Sequence, residues 1–260
     1  MTLAVNIGNS NAVFGLYANG AWQHIWRTPS QPIQAEGFYE STLRFWLLEA
    51  GISLDAIQKT AISSVVPALT STFRNVLTGL FGDGLVVVGP EVYPALPLTI
   101  LRPDQIGSDL VANALAAFVR YHQSCIVVDF GTALTFTSVT ADGLMAGVAI
   151  APGLKTAIRA LFANTAQLPE VPIELPESAL GQNTTHAIQA GVLLGYEGLV
   201  RHLLTQTRAE LGPGTIAIAT GGLANAIPTL YNEFVAVDQS LTLEGIRLVG
   251  ELAGHTVGFS

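Results

Sequence analysis

The sequence predicts an α/β chain of two related halves. Three observations predict it: a matched pair of strand–turn–strand segments, strands interleaved with amphipathic helices, and 50% hydrophobic content over 260 residues. The pair is the most informative. Residues 3–22 read LAVNIGNSNAVFGLYANGAW, and residues 126–145 read IVVDFGTALTFTSVTADGLM. Each opens on an apolar strand and bends at Asn6-Ile7-Gly8-Asn9 or Asp129-Phe130-Gly131-Thr132. A second apolar run follows, then a turn at Asn19-Gly20 or Asp142-Gly143. Asn-Gly and Asp-Gly favour tight hairpin turns with positive φ. All these landmarks share one offset of 123 positions. Such agreement points to duplication, with domains at 1–114 and 115–260 joined near residues 115–124.

The rest alternates helix and strand. Phe38, Leu43, Trp46 and Leu47 have helical spacing over 38–50, and Gly51 stops the helix. Thr60–Val66 reads as a strand. Leu69, Phe73, Val76, Leu77 and Leu80 mark one face of the next helix, and Gly84–Val88 is a short strand. Asp109 opens an apolar helix that runs to Tyr121. Ala187–Leu211 predicts one long amphipathic helix, Thr215–Ala219 a buried strand, and Ser240–Ala253 a final helix. Strands interleaved with helices predict layered α/β domains.

Composition narrows the function. Charged residues make up 12% of the chain, the net charge is −8, and Lys59 and Lys155 are the only lysines. A basic face for a nucleic-acid backbone is therefore not expected. No apolar run nears the roughly 20 residues that span a bilayer, and the N-terminus lacks a charged-then-apolar leader. A single cysteine, Cys125, sits in an apolar run and reads as a buried thiol. A cytoplasmic protein is expected.

The chemistry-bearing residues cluster at the bends. A phosphate-binding hairpin needs close backbone approach and small polar donors. Gly8, Asn9, Ser10 and Asn11 meet that need, and Gly131 with Thr132 meets it again. Thr220-Gly221-Gly222 is a third candidate, following a strand. Asp129 ends a strand beside Gly131, a position suited to a cation. Asp109 is either the first-turn acid that a helix dipole favours or a catalytic base, and the residues alone leave both open. Neither Gly-x4-Gly-Lys-[Ser/Thr] nor a Gly-x-Gly-x-x-Gly after a strand is present, and the histidines lack zinc-ligand spacing.

A further set of motifs appears in order: Asn6-Ile-Gly-Asn-Ser-Asn11, Ser63-Ser-Val-Val-Pro67, Gly107-Ser-Asp-Leu-Val-Ala-Asn113, Val128-Asp-Phe-Gly-Thr132 and Ala149-Ile-Ala-Pro-Gly153. Thr165-Ala-Gln-Leu-Pro169, Gly181-Gln-Asn-Thr184, Thr220-Gly-Gly-Leu223 and Leu241-Thr-Leu-Glu-Gly245 complete it. Over nearly its whole length the chain resembles the type III pantothenate kinases. The resemblance implies duplicated actin-like ATPase (ribonuclease H-like) domains with a nucleotide cleft between them, assembled as a homodimer. It also implies transfer of the γ-phosphoryl of ATP, with Mg²⁺, to the primary hydroxyl of pantothenate, the first step of coenzyme A synthesis. A monovalent cation, potassium or ammonium, would be held in part by Asp129. By position, Asp109 would be the base. Asn6, Gly8, Asn9, Ser10 and Asn11 of loop 6–13, with Thr132, would hold ATP. Ile100, Gly107, Ser108, Asp109, Leu110 and Thr184 would hold pantothenate.

Three of these positions depart from the family pattern. Asn6 stands for an aspartate, Leu110 for an arginine, and Ile100 for an aromatic residue. Losing one charge-assisted hydrogen bond costs about 1.5–3 kcal/mol, so the exchanges at Asn6 and Leu110, which remove a charge, bear on affinity. Two alternatives accompany the kinase expectation. One is a nucleotide-binding relative that acts through a partner. The other is a kinase for a less anionic, more apolar acceptor.

Overall fold

Alternating apolar residues build the first sheet as the sequence requires. β1 (Thr2–Ile7) pairs antiparallel with β2 (Asn11–Ala18), and β2 with β3 (Ala21–Pro29). On the other side of β1 lie β4 (Lys59–Ser64) and then β5 (Leu85–Val87), both parallel to it, giving the order β3-β2-β1-β4-β5. Leu3, Val5, Ile7, Phe14 and Leu16 point to one face. There they bury Tyr39, Leu43 and Leu47 of α1 (Glu36–Glu49) and Leu69, Phe73, Val76 and Leu77 of α2 (Pro67–Phe81). Each such large side chain contributes roughly 1.5–3 kcal/mol when fully buried. The opposite face carries Ala4, Asn6, Ala61 and Ser63, and its small residues let α7 (Leu241–Gly254) lie close on β1 and β4. α3 (Ser108–Tyr121) meets α7 at the Ala112 backbone, and Thr242 Oγ1 donates to Asn113 Oδ1 at 2.8 Å.

The second sheet repeats this plan. β6 (Cys125–Phe130), β7 (Ala133–Val139), β8 (Met145–Pro152), β9 (Ile216–Thr220) and β10 (Ala236–Val237) are ordered β10-β9-β6-β7-β8. Read from the other end, that order matches the first sheet strand for strand. Its core joins Ile126, Val128, Phe130, Leu134 and Phe136 to α4 (Leu154–Ala163), α5 (Thr184–Gln189) and α6 (Gly195–Leu211). Cys125 is fully buried, and burial pushes its thiol up to about 12.

The computed structural model describes residues 1–254. By contact they separate into two units, Met1–Ala116 with Leu241 onward, and Ala117–Ser240. From sequence alone the division falls at 114/115 with the last helix in the second domain, whereas α7 packs in the first. The reason is physical: the small-residue face of β1 and β4 needs a cover, and α7 supplies it. Among the described residues, no helix is long and apolar enough to cross a membrane.

Two local expectations change. Asn19 and Gly20 both have positive φ (53° and 79°), as expected, but at the second turn only Gly143 does (85°). There the Thr140 hydroxyl donates to the Asp142 carboxylate, and the Gly143 N–H returns to the Thr140 carbonyl at 3.0 Å, so the turn is longer. The helix expected over 187–211 instead begins at Thr184 and contains a π segment, Ala190–Leu194, between α5 and α6. Glycines at 191 and 195 permit that widening.

Candidate active site

In the first unit, β1, β4 and β5 run parallel, so their carboxyl ends share one edge, the edge where α/β sheets place ligands. Asn6 lies there half-buried, in register with Ser63 of β4. The loop after β1 is tied at several points. Gly8 N–H donates to the Asn11 carbonyl at 3.0 Å, and Ser30, 1% exposed, donates its hydroxyl to the Gly8 carbonyl at 2.6 Å. The Ser30 N–H reaches the Ser10 carbonyl at 3.0 Å. A Cβ on Gly8 would meet only the Asn11 carbonyl oxygen, at an ordinary 3.4 Å. Packing within the chain therefore does not demand this glycine. Asn9 and Ser10 are exposed, and Asn11 opens β2.

Asp109 is held at the same edge. Ser108 Oγ lies 2.8 Å from Ser63 Oγ and 3.4 Å from the Ser64 carbonyl, so the start of α3 is fastened to the end of β4. The Asp109 carboxylate is half-buried, and its Oδ1 accepts the Leu110 N–H at 2.9 Å. Burial pushes its pKa above the ordinary carboxylate value, against the opposing pull of the Leu110 and Asp109 backbone N–H groups. Ile100 is half-buried, and Leu110 is 8% exposed, a place where a charge would be poorly solvated.

Gly107 sets the carboxylate's position. A Cβ there would lie 2.6 Å from Asp109 Oδ1, so a side chain pushes the carboxylate aside while the backbone stays. Gly107→Ala should therefore lower turnover about 10- to 100-fold, since a misplacement near 1 Å costs on the order of 10²-fold. The thermal midpoint should move little; parallel kinetics and calorimetry check this.

In the second unit Asp129 occupies the place that Asn6 occupies in the first. It is in register with Thr220 of β9 on one side and Thr135 of β7 on the other. Direct cross-strand partners share a face. The hydroxyls of Thr135 and Thr220 are buried without a hydrogen-bond partner among the described residues. Gly221 has φ 92°, and a Cβ on it would lie 2.3 Å from Asp129 Oδ1. The first glycine of the Gly-Gly motif is thus explained by the closeness of its backbone to Asp129. Thr132 is exposed, and its carbonyl accepts the Gly153 N–H at 3.0 Å and the Thr156 hydroxyl at 2.7 Å. Gly153 sits so close that a Cβ would fall 2.3 Å from the Gly131 carbonyl oxygen. Thr184 opens α5, exposed, behind the Asn183 cap whose Oδ1 accepts the His186 N–H at 2.9 Å.

Asp109, Ser108, Gly107, Leu110, Ile100 and the loop after Asn6 thus belong to the first unit, and Asp129, Thr132 and Thr184 to the second. Ser30, Gly153 and Thr156 hold these loops, and sequence reasoning missed their part. A serine after a strand carries no signal of its own. Gly153 stood within a motif, but only coordinates show what it avoids.

Solved structures share this architecture. The ethanolamine utilization protein EutJ from Carboxydothermus hydrogenoformans is similar with a TM-score of 0.56 at 12% identity, over 95% of this chain and 89% of that one. The activator of the 2-hydroxyisocaproyl-CoA dehydratase from Clostridium difficile, solved with bound ADPNP, gives 0.52 at 9% identity over 100% and 98%. With its two matching five-stranded sheets, the chain has the actin-like ATPase/sugar-kinase fold. Sequence carries the assignment further. The family model for type III pantothenate kinase matches residues 2–206. The type III pantothenate kinases of Treponema pallidum (strain Nichols) and Thermomicrobium roseum are each 41% identical to it. The first alignment covers 96% of this chain and 93% of the relative, the second 99% and 100%. The chain belongs to the type III pantothenate kinase family.

Proposed function

We propose that the chain transfers the γ-phosphoryl group of ATP to the primary hydroxyl of pantothenate, giving 4′-phosphopantothenate at the entry to coenzyme A synthesis. The observation that carries this is Asp109, a half-buried carboxylate fixed at the carboxyl edge of a parallel sheet by the Ser63–Ser108 contact. Phosphoryl transfer passes through a loose transition state, so the acceptor hydroxyl needs orientation and late proton removal more than a strong base. Asp109 orients the hydroxyl through one oxygen and receives its proton. Loop 6–13 and Thr132 hold the phosphates through backbone N–H groups and small polar side chains, and Gly107, Ser108 and Thr184 contact the acceptor.

Asp129, Thr135 and Thr220 form an oxygen-only donor set with two otherwise unpartnered hydroxyls, which suits a hard monovalent cation. Bound there, potassium or ammonium would supply positive charge close to Thr132 on the same hairpin. Asn6 offers Mg²⁺ a neutral oxygen, so the metal would rely on phosphate oxygens and water for most of its ligands.

Homodimer assembly belongs to the same proposal and is supported by β8. This edge strand has no charged residue, and Val148 (37%) and Ile150 (68%) are exposed. Uncovered apolar edges invite pairing. Light scattering should give the mass of two chains; a monomer at micromolar concentration rejects this assembly.

The activity is tested by incubating purified protein with ATP, Mg²⁺, K⁺ and pantothenate, and measuring 4′-phosphopantothenate by mass spectrometry. Product that disappears in Asp109→Ala supports the proposal, and its absence from the unaltered chain rejects it. Leu110, buried and uncharged, favours a second acceptor class, so an uncharged amide of pantothenate belongs in the same assay. Faster turnover of the amide would assign the acceptor there.

A further inference from the structure

The connection from α4 to α5, residues 164–183, carries no helix or strand. Connections longer than about 12–15 residues without such structure ordinarily serve a function. Its first half is anchored by packing. Val171 is buried, Leu168, Ile173 and Leu175 lie against the core of the second unit, and Gln189 Nε2 of α5 donates to the Pro172 carbonyl at 3.1 Å. Its second half has no such anchor. Residues 177–183 are all exposed, Leu180 to 79%.

What holds this half is His186. Its Nε2 lies 2.8 Å from the Ser178 carbonyl oxygen, and among the described residues this is the only hydrogen bond from 177–182 to the helix. A carbonyl only accepts, so Nε2 carries the hydrogen and donates it. The neutral ring and the imidazolium both donate in this way, so the tie survives either charge of the ring. The fit beside it is close. A Cβ on Gly181 would fall 2.4 Å from Ala187 Cα and 2.6 Å from its nitrogen, so the turn lies directly on α5. The backbone N–H of His186 meanwhile donates to Asn183 Oδ1 at 2.9 Å. One residue thus ties down both ends of the turn that leads into Thr184: its ring holds Ser178, and its N–H holds Asn183.

We propose that His186 is a positioning residue for the phosphoryl acceptor: its ring holds the turn 178–183 on α5, and so fixes the place where Thr184 meets pantothenate. This rests on the kinase function proposed above. In this role His186 touches no reacting atom. Its loss weakens acceptor binding and leaves the chemical step alone.

His186→Ala removes the donor, whereas His186→Gln keeps an N–H of similar reach. In His186→Ala the KM for pantothenate should rise about five- to tenfold, the weight of one hydrogen bond. The kcat and the KM for ATP should stay within about twofold of the unaltered enzyme, a margin inside that change. Titration calorimetry of pantothenate should show the same weakening, independently of turnover, and His186→Gln should regain most of the lost affinity. An unchanged pantothenate KM and affinity in His186→Ala would overturn the proposal and leave the kinase function standing. So would a glutamine variant as weak as the alanine one, or a fall in kcat at constant KM. Failure of the unaltered protein both to bind and to phosphorylate pantothenate would overturn the kinase function and this inference together.

Discussion

Asp109→Asn should remove phosphoryl transfer and, at neutral pH, raise the melting temperature. A positioned base contributes about 10²- to 10⁴-fold to rate, and the amide cannot accept the proton, so kcat should fall by that order. The stability gain follows from the direction of the pKa shift. Burial raises the folded-state pKa of Asp109 above its unfolded value, so the folded protein holds this proton more tightly. Stability therefore falls as pH rises through the interval from the ordinary carboxylate pKa to the raised one, and the full cost persists at neutrality. Asparagine has no charge to desolvate and escapes that cost. Steady-state kinetics with differential scanning calorimetry at pH 7.5 tests both halves, and a variant that loses activity and stability together would contradict the assignment. For the unaltered enzyme, the acid limb of kcat/KM should lie above the pKa of an ordinary aspartate.

Gly245→Ala should damage the fold more than any exchange among the loop glycines. A Cβ on Gly245 would lie 1.9 Å from the Ala112 carbonyl oxygen and 2.3 Å from its carbon. That obstacle is the backbone of α3, which no side-chain rotation moves, so α3 and α7 would have to part. The separation strains the Thr242–Asn113 hydrogen bond and opens the small-residue face of β1 and β4. The cost should reach about 3 kcal/mol or more, the upper range for overpacking. For a chain of this length that lowers the Tm by roughly 6–12 °C. Gly79→Ala is the control. It lies within α2 with nothing within 4 Å of its Cβ, and alanine there should stabilise by about 0.5–1 kcal/mol. Equal effects at the two sites would refute the packing account.

What the sequence revealed depended on how local the cause was. The paired hairpins were legible because period-two alternation and turn residues act over a few positions. The sheet order shows the duplication to be architectural, with Asn6 beside Ser63 as Asp129 is beside Thr220. Helix faces at Leu69–Leu77 were legible for the same reason. The return of α7 to the first unit was not, because nothing in its apolar face names the sheet it covers. Nor were the parts played by Ser30, Gly153 and Gly221, since a close approach between residues tens of positions apart leaves no pattern in either segment. The π segment escaped because its residues fit an ordinary helix equally well. Motif resemblance singled out Asp109 but said nothing of the Ser63–Ser108 contact that fastens the start of its helix to β4.

The place of α7 has a consequence for synthesis. The second unit is one uninterrupted stretch, 117–240, while the first lacks its cover until residues 241–254 have been made. On the ribosome, the N-terminal sheet must wait with its small-residue face bare while the segment after it can already fold. A stop codon a few residues before Leu241 would therefore spare the nearby unit and ruin the distant one, so the first sheet to be translated is the last to be completed.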